Sequence, residues 1–141
     1  MSHLLDTNVC IRLINRSPGA IAERLRLHSS GSVRLSAITK AELFYGARHS
    51  KRVRDNVQLV TAFCQPYQCL PFDDLCAEHY GLIRADLISR GENVPPMDLV
   101  IAATARARDL ILVTHHVRDF APIVGLQLED WEAESTHPPG D

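Results

Sequence analysis

Lysine is nearly missing from this sequence: of its 15 basic residues only Lys40 and Lys51 are not arginine. Cysteine is sparse, with Cys10, Cys64, Cys69 and Cys76 forming no C-x-x-C pair. That spacing fits no zinc pattern and no disulfide framework, so reduced thiols in a cytoplasmic protein are the expectation. The longest near-continuous apolar runs, Leu99 to Ala103 and Leu110 to Val113, fall far short of the roughly 20 residues of a membrane helix. The first residues, Met1 to Asp6, lack a basic stretch followed by an apolar core, so no signal peptide is expected. Neither G-x-G-x-x-G nor G-x-x-x-x-G-K-S/T occurs, which leaves nucleotide-cofactor and P-loop readings without support. There is no internal repeat, no low-complexity run and no dividing linker.

What remains is 141 residues, 45% apolar and 23% charged, enough for one soluble domain with a real core. The expected domain spans residues 1–131. Residues 132–141 are expected to form an acidic, mobile tail. The net charge of −2 excludes a strongly basic nucleic-acid binder by composition. Acids are concentrated at the end, however. Without the five acids of residues 129–141, the body holds fifteen basic residues against twelve acidic ones, a net +3. Its thirteen arginines are suited to forked phosphate contacts, although arginine also decorates the outer faces of helices.

Short apolar runs alternate with amphipathic stretches. Strands are expected at His3 to Leu5, Val33 to Ser36, Gln68 to Phe72, Leu110 to Val113 and Leu126 to Leu128. Helices are expected at Thr7 to Asn15, Pro18 to His28, Thr39 to His49, Val53 to Phe63, Leu75 to Ser89 and Met97 to Ala107. This alternation predicts an α/β fold: a central parallel sheet of about five strands with helices on both faces. In such sheets the functional crevice lies at the carboxyl ends of the strands.

Carboxylates fall at those ends. Asp6 follows the first strand, Glu42 lies one turn into the helix after the second, Asp98 opens Met97 to Ala107, and Asp119 follows the fourth strand. Each has a plain structural explanation. Asp6 suits an N-cap, Thr39-x-x-Glu42 matches a capping box, Asp98 offsets a helix dipole, and Asp119 suits a turn. The helix after Asp98 is apolar or small nearly all round, so it should be buried, and its first-turn acid then needs a partner. Clustered carboxylates repel each other, and a hard divalent cation resolves that. The chemistry that follows is displacement at a phosphodiester.

Five ordered segments resemble PIN-domain ribonucleases, specifically VapC-type toxins. They are Leu4-Leu5-Asp6-Thr7-Asn8; Leu35 to Thr39 with Ala41-Glu42-Leu43 and Tyr45-Gly46-Ala47; Asp98 with Ile101 to Ala105; Leu112-Val113-Thr114 with Arg118-Asp119-Phe120; and Gly125-Leu126 with Glu129-Asp130-Trp131. Pro95-Pro96-x-Asp98 and Glu129-Asp130-Trp131 most resemble the enteric-type VapC branch. The resemblance implies a PIN-like domain and a metal-dependent endoribonuclease using Mg²⁺ or Mn²⁺. It implies the toxin of a toxin–antitoxin pair that inhibits translation. Asp6 and Asp98 would be the metal ligands, Glu42 a further acidic site residue, and Asp119 the fourth acid. The enteric branch implies tRNA as substrate, cut in the anticodon loop of initiator tRNA. The implied partners are a VapB-type antitoxin whose tail covers the acids, and a second toxin copy in a homodimer within a larger assembly.

One departure stands out: the family usually has Asn or Asp after the position of Thr114, where this chain has His115-His116. An imidazole can supply the same hydrogen bond, contact phosphate, or recruit a softer metal such as Mn²⁺ or Zn²⁺. Thr7, Asn8, Thr114, His115 and His116 are auxiliary candidates, and Arg12, Arg16 and Arg48, with Arg52 and Arg54, are candidates for an RNA path. The alternative is a catalytically idle PIN module that binds RNA or a protein partner. A receiver or haloacid-dehalogenase-like domain fits poorly, because Asn8 stands where the latter has its second Asp and the paired acids a receiver has after its first strand are missing.

Overall fold

Each strand is only two to four residues long; the three central strands are largely buried, and the first two hand over at once to a helix. The computed structural model describes residues 2–15 and 19–133. Arg16, the Ser17-Pro18 break and residues 134–141 lie outside the described residues. The strands are β1 (His3–Leu5), β2 (Val33–Ser36), β3 (Gln68–Leu70), β4 (Ile111–Val113) and β5 (Leu128–Glu129). They pair in parallel in the order β3-β2-β1-β4-β5. The helices are α1 (Thr7–Ile14), α2 (Ala20–Arg26), α3 (Ala37–Arg48), α4 (Val53–Cys64), α5 (Asp74–Ser89), α6 (Pro96–Ala107) and α7 (Val117–Phe120). No described helix is long and apolar enough to cross a membrane.

The pleat of β1 splits the core in two. Leu4 and Leu112 face a cluster with Ile83 and Leu87 of α5 and the buried run of α6. Leu5, Leu35 and Val113 face the opposite cluster, with Val9 and Cys10 of α1, Leu43 of α3 and Val60 of α4. Full burial of one such aliphatic side chain contributes about 1.5–3 kcal/mol. Helix α6 is buried nearly all round from Leu99 to Ala105, as its composition required.

The chain runs outward from β1 through β2 to β3, then returns to lay β4 and β5 on the other side of β1. That reversal opens a crevice beyond the carboxyl end of β1. The register aligns Leu5 with Leu35 and Val113, which puts Asp6 level with Thr114 and the start of α3. The end of β5 is locked by Trp131, which stacks on His28 at 4.9 Å and donates from Nε1 to Glu129 at 3.0 Å.

Three sequence expectations need correction. Helix α3 begins at Ala37 rather than Thr39, because Ser36 caps it through the Thr39 amide at 3.1 Å. The fifth strand is Leu128–Glu129 and not Leu126 to Leu128, since Gly125 turns with φ 79° and the chain first bonds β4 at Gln127, whose carbonyl accepts the Leu112 amide. Asp119 lies in α7 rather than in a turn. A helix of one turn leaves no periodicity to read.

Candidate active site

The crevice beyond β1 holds a cleft of about 240 Å³ lined by Asp6, Thr7, Asn8, Ile11, Glu42, Tyr45 and Asp98, with no lysine or arginine among them. Asp6 is 4% exposed and caps α1, accepting from the Val9 amide at 2.8 Å. The structural explanation for Asp6 is therefore correct, but it engages one oxygen only. Burial pushes the Asp6 carboxyl up from its ordinary value, against the opposing pull of the Thr114 hydroxyl, the Val9 amide and His116.

Glu42 does not close a capping box. Ser36 has already capped α3, and Glu42 instead accepts the Thr7 hydroxyl at 2.7 Å across the cleft. The Thr7 oxygen also lies 3.1 Å from the Thr39 hydroxyl, which receives Ser36 Oγ at 3.1 Å. A chain of hydroxyls thus ties α1 to α3 and fixes the direction of the Glu42 carboxylate. Thr39 carries no signal of this role in the sequence, because the contact spans two helices.

Asp98 stands in the first turn of α6, half-buried at the cleft. Its carboxyl is raised by burial first, then by the charges of Asp6, Glu42 and Asp119, with His116 opposing. Four acids from four separate chain segments therefore share one field. Asp119 is exposed on α7 and belongs to that field without lining the cleft.

The two histidines part company. His116 acts on Asp6 and Asp98, whereas His115 turns to Asp130 and Glu132 beyond β5. Asn8 is exposed at the rim. Arg12 lies against Glu132, and Arg48, Arg52 and Arg54 are exposed. From sequence Tyr45 could be core or part of a groove for an antitoxin helix, and it stands 68% exposed on the cleft wall. Sequence reasoning missed Glu132, a tail residue whose side chain is only 10% exposed.

A carboxylate set with hydroxyl support and no lysine or arginine lining the cleft suits a hard divalent cation with oxygen donors. The PIN domain family model matches residues 3–123. This chain is a PIN-domain protein of the VapC family. It is 39% identical to the tRNA(fMet)-specific endonuclease VapC of Shigella flexneri over 93% of its own length and 98% of that protein. Among solved structures, DNA-bound VapBC from Salmonella typhimurium matches at 40% identity with a TM-score of 0.88, covering 93% of this chain and 98% of that one. VapBC2 from Rickettsia felis, bound to a DNA fragment from its promoter, matches at 32% identity with a TM-score of 0.86, over 93% and 99%. The PIN domain model thus spans β1 past α7, the stretch that carries all four acids.

Proposed function

We propose that the protein is a divalent-metal-dependent endoribonuclease, the toxin of a toxin–antitoxin pair, cutting tRNA and inhibiting translation. The observation that carries this is the single cleft that brings Asp6, Glu42 and Asp98 together from three separate chain segments, with Asp119 near enough to act on Asp98. The substrate follows the relatives, whose named target is tRNA(fMet). The anticodon loop is the point of cleavage we assign.

Asp6 and Asp98 would hold the ion, Mg²⁺ or Mn²⁺. Both are acids whose charged form the fold disfavours, so a cation there relieves the site. When bound, the ion supplies charge stabilisation at the phosphate and a lowered pKa for water. The protein's own residues do the rest. Glu42, aimed by Thr7, would accept the proton of the attacking water, and Asp119 and His116 add their charges to the field around Asp98. Water adds to phosphorus, the P–O ester bond breaks, and the leaving oxygen takes up a proton from bulk water, to which Glu42 returns the one it accepted. Thr114 and Asn8 shape the Asp6 end. Arg48 and its exposed neighbours guide the RNA backbone.

A VapB-type antitoxin is the partner, and the relatives are solved as VapBC complexes. Beside the cleft lies an apolar groove of about 260 Å³ between α1, α3 and α4, sharing Ile11 and Glu42 with it. A segment seated there covers the acids.

The test is incubation of antitoxin-free protein with a full tRNA pool and Mg²⁺ or Mn²⁺, beside a chelator control and Asp98→Asn. Discrete cleavage lost in both controls supports the proposal. Equal cleavage by both proteins places the activity elsewhere. Intact tRNA with retained RNA binding favours the idle module.

A further inference from the structure

Beyond the cleft, three side chains that the nuclease reading leaves unused converge. His115 follows β4, and Asp130 and Glu132 follow β5. His115 Nδ1 lies 3.2 Å from Asp130 Oδ2 and 3.3 Å from Glu132 Oε2. One donor atom from each lies within 4.8 Å of the others. Asp130 is held rigid, because its Oδ1 accepts the amides of Glu132 at 2.9 Å and Ala133 at 3.2 Å. Glu132 is nine-tenths buried, yet among the described residues neither of its oxygens accepts a hydrogen bond. Arg12 abuts Oε1 as a charge contact, and the His115 ring faces Oε2.

His115 Nδ1 makes long hydrogen bonds to both Asp130 oxygens, at 3.2 and 3.3 Å, and the same spacing suits an ion. Charge-assisted N–H···O⁻ bonds run about 2.7–2.9 Å, shorter than the contacts here. Around a tetrahedral ion with bonds of about 2.0–2.1 Å, neighbouring donors stand about 3.3 Å apart. The observed 3.2 and 3.3 Å match that edge with little movement. Charge agrees. With a neutral imidazole, one arginine faces two carboxylates, so the cluster is net anionic. One nitrogen and two oxygens favour a borderline transition ion over Mg²⁺, which takes oxygen donors in octahedral geometry.

We propose that His115, Asp130 and Glu132 form a second divalent-cation site, for Zn²⁺ or a similar transition ion, apart from the Asp6–Asp98 cleft. An ion there ties the end of β4 to the segment after β5. It also loosens the hold of Glu132 on Arg12.

The test uses the full chain, stripped by chelator, carrying Asp6→Asn and Asp98→Asn to silence the cleft. Asn keeps the cap at position 6. Zn²⁺ binding is read by calorimetry, and Co²⁺ by its visible absorption. The expected result is one ion bound, weakened at least tenfold by His115→Ala and by Glu132→Gln, and unchanged by His116→Ala. Melting curves report whether each variant folds; if His115→Ala does not, Glu132→Gln decides alone. No ion in the double variant overturns the proposal. So does undiminished binding by the folded variants, or loss of the ion with His116→Ala. A failed nuclease reading would leave the Zn²⁺ result standing, so the two fail separately.

Discussion

Replacing Asp98 by Asn should remove activity and raise the stability of the metal-free protein at neutral pH. A helix dipole favours a first-turn acid by about 0.3–1 kcal/mol, which Asn forfeits. Burial and three neighbouring carboxylates oppose that gain and win, because the Asp98 carboxyl lies above its ordinary value. The sign follows from linkage. A raised acid contributes its stability below the unfolded pKa, and that contribution is lost as pH rises through the folded one. Wild type at pH 7 therefore carries the cost and Asn does not. The advantage of Asn should shrink on acidification to about pH 4, where the unfolded carboxyl also protonates. Divalent cation inverts the order. At ten times its dissociation constant, Mg²⁺ or Mn²⁺ stabilises wild type by about 1.4 kcal/mol, about 3–6 °C for a domain of this size, and the variant by less. Cleavage should fall by at least about 100-fold, since even loss of a supporting residue at a metal site costs 10–100-fold. Thermal melts across pH, with and without metal, check this. An Asn variant less stable than wild type at pH 7 without metal, together with no metal shift in wild type, would refute the argument.

Thr7→Val removes the hydroxyl that holds Glu42 at 2.7 Å; cleavage should drop about tenfold with the melting temperature nearly unchanged, because the site is partly exposed. Ser36→Ala removes the cap of α3 and should cost about 1 kcal/mol by denaturant unfolding, the Thr39 amide being buried. Gly46 lines the apolar groove, and a Cβ there meets no atom within 4 Å. Gly46→Leu should therefore leave the free toxin as stable or up to about 1 kcal/mol more so, while antitoxin no longer neutralises it; unimpaired neutralisation would put the antitoxin elsewhere. Arg48→Ala should weaken RNA binding for all sequences and lower the slope of log K against log salt by about 1, and an unchanged slope would make Arg48 mere surface.

Much of this was legible in the sequence because it is local. The turn from Leu5 to Asp6, the apolar run Leu99 to Ala103 in α6 and the branched run before Thr114 each declare an element within a few residues. The site was legible as four acids at strand exits, but not as partners. The Thr7–Glu42 bond joins residues 35 apart, and the His115–Glu132 contact joins two strand ends that only the sheet order makes neighbours. Helix α7 and the shifted β5 escaped notice for another reason, since elements of four and two residues are too short to show a period.

Asp6 shows why structural and chemical explanations of a residue need not compete. Its cap bond to Val9 uses one oxygen and fixes the side chain at the mouth of β1. That placement buries the carboxyl, and burial raises it. A rigid, desolvated carboxylate is what a cation site requires, so the cap is part of the means by which the site is built. Glu42 makes the converse case. Had Thr39 capped α3, Glu42 would have turned back to its own helix. Ser36 takes that task three residues earlier, and so frees Glu42 to face Thr7 across the cleft.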